Sequence, residues 1–326
     1  MSDPRRPASE AVEWPTLALI VVCHALWLLA VFRLAELSGM AAVAAVAVLA
    51  ALHSSLTHEA LHGHPTRWRA VNEALMALPL SLPFPYRRFR DLHLAHHRDS
   101  RLTDPHDDPE SNYLDPAHWA RLPGWLRAVY RANNTLAGRI LLGPALSMLA
   151  LVRSDLRLIR EGAPGVAKAW ALHGLGLLPV LWWLGGPAAM PGWLYGVAAY
   201  LGFGLLKIRT YLEHRAAEEP RARTVIVEGN GPLAFLFLNN SLHAVHHAHP
   251  RVPWYALRRL YASDPQKYRQ RNGGYVYAGY GQIFRAHLLR AKDPVPHPLM
   301  APPARQGARR PARRRGGGFS AARPRR

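Results

Sequence analysis

An all-α, polytopic membrane protein is the fold class predicted by this 326-residue sequence. Three observations carry that expectation. Four apolar runs of nearly membrane-spanning length fall into two pairs. The basic residues gather before, between and after the pairs. Histidines cluster at helical spacing just beyond the apolar runs or in the segments that join them.

The elements follow in chain order. Residues 1–15 form a short N-terminal segment with Arg5 and Arg6, expected to be cytoplasmic. With the apolar run that follows, it resembles a signal peptide only superficially. No small-residue cleavage site follows, and the next apolar run begins almost at once. The first run is therefore expected to be an uncleaved membrane helix. Thr16–Phe32 is nearly all apolar, and Leu37–Leu52 is rich in Ala and Val. Each approaches the roughly 20 residues that span a bilayer. Only RLAE separates them, so a tight helical hairpin is expected. A second pair, Ala169–Leu184 and Trp193–Leu206, is joined by the uncharged turn GGPAAMPG. Ala74–Tyr86 and Leu141–Val152 read as too short or too broken by proline to span, and are expected to lie in the interface or dip into the membrane. The positive-inside rule puts the N-terminus, the central segment and the C-terminal third in the cytoplasm. Both hairpins then enter from the cytoplasm and return to it. Residues 16–300 form one membrane domain in this reading, and 301–326 a disordered, Arg-rich tail.

Charge and composition narrow the class. The formal net charge is +20, and nine of the positive charges are tail arginines with no acid among them. A basic chain suits nucleic acid or an anionic membrane face. No nucleic-acid motif is present, and the apolar runs favour the membrane. The mean hydropathy of −0.09 is low for a membrane protein, because the basic portion outside the runs is large. The single cysteine, Cys23, rules out an intrachain disulfide or a Cys-rich zinc module. It lies in an apolar run and is expected to pack as a small hydrophobe.

Nine histidines carry the chemistry. They are His58 and His62 in HEALH, His93, His96 and His97 in HLAHH, His214 in YLEHR, and His243, His246 and His247 in HAVHH. On a helix, positions i, i+3 and i+4 share one face, so each cluster is expected to aim its imidazoles at one point. Imidazole ligates iron, zinc, copper and nickel. A single zinc takes only three or four protein ligands. Nine suit two octahedral ions with open positions, which points to redox or oxygen chemistry. The topology agrees. His58 lies six residues past Leu52 and His214 eight past Leu206. At 1.5 Å per residue both stand about 9–12 Å beyond their apolar runs.

Taken alone, HEALH also matches the HExxH zinc-protease signature, with Glu59 as general base. Two further HxxHH boxes have no place in that chemistry, and no Asp-Gly ligand motif follows on a later apolar run. A non-enzymatic metal-binding or lipid-anchored structural protein is a third reading. Arg209 and Glu213 beside His214 are placed to orient ligands. His64 lies about 200° around a helix from His62 and should face away. His249 precedes a proline that ends its helix. His24 and His173 sit in apolar runs as packing or hydrogen-bonding residues. His53, His106, His118, His287 and His297 share no pattern. Asp104, Asp107, Asp108 and Glu110 in LTDPHDDPES read first as a solvated turn cluster, and second as carboxylates that could support the ligands.

The three boxes, in this order around two apolar hairpins, resemble the membrane fatty acid desaturase superfamily, which also holds alkane hydroxylases and carotenoid ketolases. The resemblance covers roughly residues 52–261. It is most specific at NNSLHAVHHAHPRVPWY and FPYRRFRDLHLAHHRDSRLTDP, which are similar to bacterial acyl-chain desaturases. Two departures stand out. Glu59 replaces an aspartate common in the first box, and Thr210 stands where some members have an asparagine one turn before the lone histidine. The resemblance implies a non-haem di-iron centre held by the nine histidines. It also implies O2 as oxidant and a lipid or acyl-chain substrate in a bacterial inner membrane. The expected reaction is desaturation, with carotenoid or alkane hydroxylation or ketolation as the alternative. No HPGG-type haem motif or cysteine cluster is present, so electrons are expected from a separate ferredoxin-type carrier.

Overall fold

The computed structural model describes residues 12–97 and 101–300. The start of the N-terminal segment and the Arg-rich tail fall outside the described residues. Three of the described helices are long and apolar enough to cross a membrane: Trp14–Leu37, Gly39–Leu61 and Leu136–Arg160. The chain is a predominantly helical membrane protein.

The first hairpin forms, but its turn is tighter than RLAE. Arg33 and Glu36 are absorbed into the first helix, which contains a π-helical turn at Ala30–Leu34. The break falls at Ser38, whose backbone is extended and whose Oγ accepts from Ala41 N at 3.2 Å. This side-chain cap starts the second helix. That helix runs past Leu52 to Leu61, and so carries His58 on a rigid rod about 35 Å long.

The helices long and apolar enough to span are not the expected four. Leu141–Val152 is not a short fragment; it is the middle of the continuous helix Leu136–Arg160, with Pro144 inside. Pro144 lies in the third turn, where the loss of one backbone donor does not end the helix. The second expected hairpin is present as helices Val166–Gly185 and Gly192–Thr210. They are not among the three helices that meet the length and hydropathy of a span. Lys168, His173, Lys207 and Arg209 lower their apolar character. The Ala74–Tyr86 stretch is the end of the short helix Arg69–Leu75 followed by proline-rich turns.

Gly192–Thr210 is the central helix, packed on both Gly39–Leu61 and Leu136–Arg160. Two glycines permit the approach. A Cβ on Gly202 would lie 2.6 Å from Ala47 O, and one on Gly204 2.8 Å from Ile140 O. Small residues at such crossings let membrane helices meet backbone to backbone. A buried polar chain ties the layers together. Trp27 Nε1 donates to Tyr195 Oη at 3.0 Å, and Tyr195 Oη donates to Leu80 O at 2.6 Å.

The C-terminal third is a cluster of short helices around one parallel pair of two-residue strands, Ile226–Val227 and Val276–Tyr277. Its small core joins Ile226, Leu242, Val245, Leu257 and Tyr268. This places the His243–Ala248 helix over the ends of the long helices.

Candidate metal centre

Four elements deliver the nine histidines. His58 lies in the last turn of Gly39–Leu61 and His62 caps it. His93 and His96 are in the last turn of Tyr86–His96 and His97 caps it. His214 follows the Gly192–Thr210 helix, in an isolated bridge with Thr224. His243, His246 and His247 belong to the six-residue helix His243–Ala248. The entry to that helix is strained. Leu238 and Asn239 both adopt left-handed backbone, φ 49° and 56°. Such residues persist only where their surroundings hold them. Asn239 Nδ2 donates to Trp254 O at 3.0 Å, and Arg258 Nε donates to Asn239 Oδ1 at 2.7 Å.

The imidazoles meet in two groups that could each hold a metal ion. One is His58, His62, His93, His97 and His246; the other is His96, His214, His243 and His247. In each group one nitrogen per residue lies within 4.8 Å of all the others. The expectation that each box aims at one point is corrected here. Residues four apart stay together: 58 with 62, 93 with 97, and 243 with 247. The remaining member of each HxxHH box, His96 or His246, joins the other group. Four residues are a little more than one turn and three a little less, so the two side chains lean to opposite sides of the face. Each HxxHH box therefore serves both groups.

The donor set fits metal ions. Within the groups, ring nitrogens face one another at short range: His96 Nε2 to His214 Nε2 2.8 Å, His97 Nε2 to His93 Nε2 2.9 Å, His246 Nε2 to His97 Nε2 3.2 Å. His58 Nε2 is buried with no hydrogen-bond partner. Burying so many lone pairs against one another is costly unless a cation accepts them. Burial and then the neighbouring imidazoles hold His62, His97, His214, His243 and His246 well below the ordinary histidine range, hence neutral. Neutral imidazole is the ligating form.

Outer partners fix the rings. His96 Nδ1 lies 2.7 Å from Asp108 Oδ1, His93 Nδ1 3.0 Å from Glu110 Oε1, and His243 Nδ1 2.9 Å from Asn240 Oδ1. A hydrogen bond at the outer nitrogen sets which nitrogen faces the metal. Burial would lower His96, but Glu110 and Asp108 outweigh it and push its pKa up to about 9. Burial would raise Glu110, but His93 and His96 hold it well below the usual carboxylate range. The turn-cluster reading of the acidic segment is thus half right. Asp104 does cap a turn, accepting from His106 N at 2.8 Å. Asp108 and Glu110 are turned inward. The signal for them was their position, twelve and fourteen residues past His96. Asn240 went unremarked, although it stands one turn before His243.

Arg209 and Glu213 form an ion pair at 2.8 Å, with Glu213 3.8 Å from His243 Nδ1. His64 pairs with Glu13 at 2.8 Å, turned from the groups. His24 and His53 pack edge to face at 5.5 Å, and His173 Nε2 donates to Leu82 O at 2.7 Å. His106, His118, His249, His287 and His297 belong to neither group. Glu59 does not face a metal as a protease base would. Its Oε2 accepts from Trp254 N at 3.0 Å, and its Oε1 lies 3.9 Å from His58 Nδ1. His58 and His62 share their group with three further imidazoles, where a zinc protease needs one more ligand.

A cavity of about 910 Å³ reaches the centre, where His214, Glu213 and Glu110 line it. Phe84, Leu172 and Phe203 form part of its apolar wall.

No curated protein matches the chain. A model of the fatty acid desaturase family matches residues 34–279. That stretch includes every histidine of both groups and the helices that carry them, and the chain belongs to the fatty acid desaturase family.

Proposed function

We propose that the protein is a non-haem di-iron oxidoreductase that uses O2 and two external electrons to desaturate an acyl or other lipid-like chain. The observation that supports this most is the pair of all-histidine groups, with a large cavity that reaches them at His214. His58, His62, His93, His97 and His246 would hold one iron, and His96, His214, His243 and His247 the other. The iron pair supplies the O2-derived oxidising power that removes hydrogen from an unactivated C–H bond. The chain's own residues do the rest. Asp108, Glu110 and Asn240 hold the rings of His96, His93 and His243. The cavity wall seats the substrate and keeps water from it.

Desaturation consumes the substrate's two hydrogens, O2, two electrons and two protons, and releases two waters. Hydroxylation of the same chain would retain one oxygen atom in the product. With the two hairpins crossing and returning, the basic segments put the histidine groups on the cytoplasmic side of a bacterial inner membrane. A separate, acidic ferredoxin-type carrier delivers electrons to that basic face.

The test is a reconstitution of the full chain in nanodiscs with iron, a reduced ferredoxin and acyl substrates, read by mass spectrometry. A product lighter by two hydrogens supports desaturation. A product heavier by one oxygen selects the hydroxylase. Peptide cleavage with no O2 uptake sinks both and returns the zinc-protease reading.

A further inference from the structure

Most charges on the cavity wall are already matched. Arg88 Nε and Nη2 donate to Asp155 at 2.8 and 2.7 Å. Arg87 pairs with Glu73, and Arg209 with Glu213. Glu110 faces His93 and His96. Lys207 is different. Its Nζ donates to Ser147 Oγ at 2.7 Å and sits 4.6 Å from the centroid of the Phe203 ring. Among the described residues, no carboxylate forms an ion pair with it.

A lysine in the last turn of a helix is often explained by the helix dipole or by reaching out to water. The geometry here runs the other way. Phe203 is four residues earlier, so the ammonium folds back along the helix and away from its C-terminus. It lines the cavity, as do Thr210, one turn of about 5 Å further on, and then Glu213 and His214. An ionisable side chain facing a mostly apolar cavity is a candidate for substrate contact. A purely apolar chain lying there would leave the ammonium desolvated, with only Glu110 and Glu213 at longer range to offset it.

We infer that Lys207 anchors an anionic group of the substrate inside the cavity, so that the enzyme takes a free amphiphilic carboxylate whose charge is buried with it. An esterified chain would keep its head group outside. His214 is seven residues from Lys207, about 10 Å if the helix simply continued. The ammonium folds back a further turn, so the carbon attacked lies more than about 10 Å from the carboxylate, along an extended chain. This rests on the histidine groups being the oxidising centre, but its test does not need turnover.

The experiment measures equilibrium binding of labelled decanoate and labelled 1-decanol at pH 7 to the full chain in nanodiscs, with empty nanodiscs subtracted. The parent should bind decanoate ten- to hundredfold more tightly than decanol, the range expected for a charge-assisted contact. Lys207→Met and Lys207→Gln should lose that preference while binding decanol at least as tightly. Retained decanol binding shows that the variants are folded. Decanoate bound no better than decanol by the parent overturns the inference without any variant. So does a preference that persists in either variant. Parallel iron analysis separates the two ideas. A parent that prefers decanoate but holds no iron defeats the proposed chemistry and leaves the anion site standing.

Discussion

The two histidine groups are built by different means. The five-membered group takes two i,i+4 pairs, His58 with His62 and His93 with His97, plus His246. Helix periodicity alone brings each pair together. Among the described residues its outer support is sparse: Glu110 on His93, and Glu59 at 3.9 Å from His58. The four-membered group has one such pair, His243 with His247, and adds His96 and His214 from separate elements. Its rings lean on Asp108, Asn240, Glu213 and Thr224. Where the backbone repeat does not converge the ligands, polar partners do.

The sharpest way to break this comparison uses two neighbours that serve different groups. His246→Ala should remove one of five ligands and His247→Ala one of four. Both should lower turnover by roughly a hundredfold or more, since each loses direct ligation. The iron lost should differ: His247→Ala should empty the smaller group, while His246→Ala leaves a partly occupied larger one. Equal iron loss in both would mean that the groups act as one unit.

A smaller effect is expected at the polar partners. Asp108→Asn should weaken iron at the four-membered group by about 10- to 100-fold and spare the other, as a chelator titration would read. Loss at both groups would show that Asp108 holds the whole segment together.

Titration separates the rings again. The unfolded chain protonates histidines near pH 6.5, whereas His62, His97, His214, His243 and His246 resist protonation when folded. The unfolded state then binds more protons, so stability falls as the pH drops through about 6.5. His96 has the opposite sign. Its raised value stabilises the metal-free protein below about 6.5, and that contribution is lost as the pH rises through about 9. Melting curves of metal-free protein from pH 5 to 10 should show the acid loss outweighing the alkaline one.

Two controls should affect both groups alike. Gly202→Ala puts a Cβ 2.6 Å from Ala47 O and 2.9 Å from Ala50 Cβ. Backbone must move, at a cost of about 1–3 kcal/mol read as a lower melting temperature, with iron content per folded chain unchanged. Added salt should slow reduction by an acidic ferredoxin and leave iron binding untouched. A salt-insensitive rate would remove the electrostatic docking argument.

The helices and the ligands were legible in the sequence to different depths. HxxxH and HxxHH spacing needs only the helical repeat, so the eight box histidines could be named without coordinates. Their division into groups could not, because His96 and His246 cross over through the packing of separate elements. His214 lacks a box altogether, and its place depends on the bridge to Thr224. Asp108, Glu110 and Asn240 are ordinary turn residues by composition, and only tertiary structure turns them inward. In the fold, the first hairpin was plain from hydropathy. The Leu136–Arg160 helix was not, because Pro144 and flanking arginines mask a run that the backbone continues through. Lys207 drew no notice, since a lysine at a helix end looks ordinary until its ammonium is seen folded back over Phe203.

The most direct test of the central claim is the metal content of the purified full chain in mild detergent, with His246→Ala alongside. The account predicts about two irons per chain and a clear loss in the variant. About one zinc per chain, retained when His246 is removed, would contradict it.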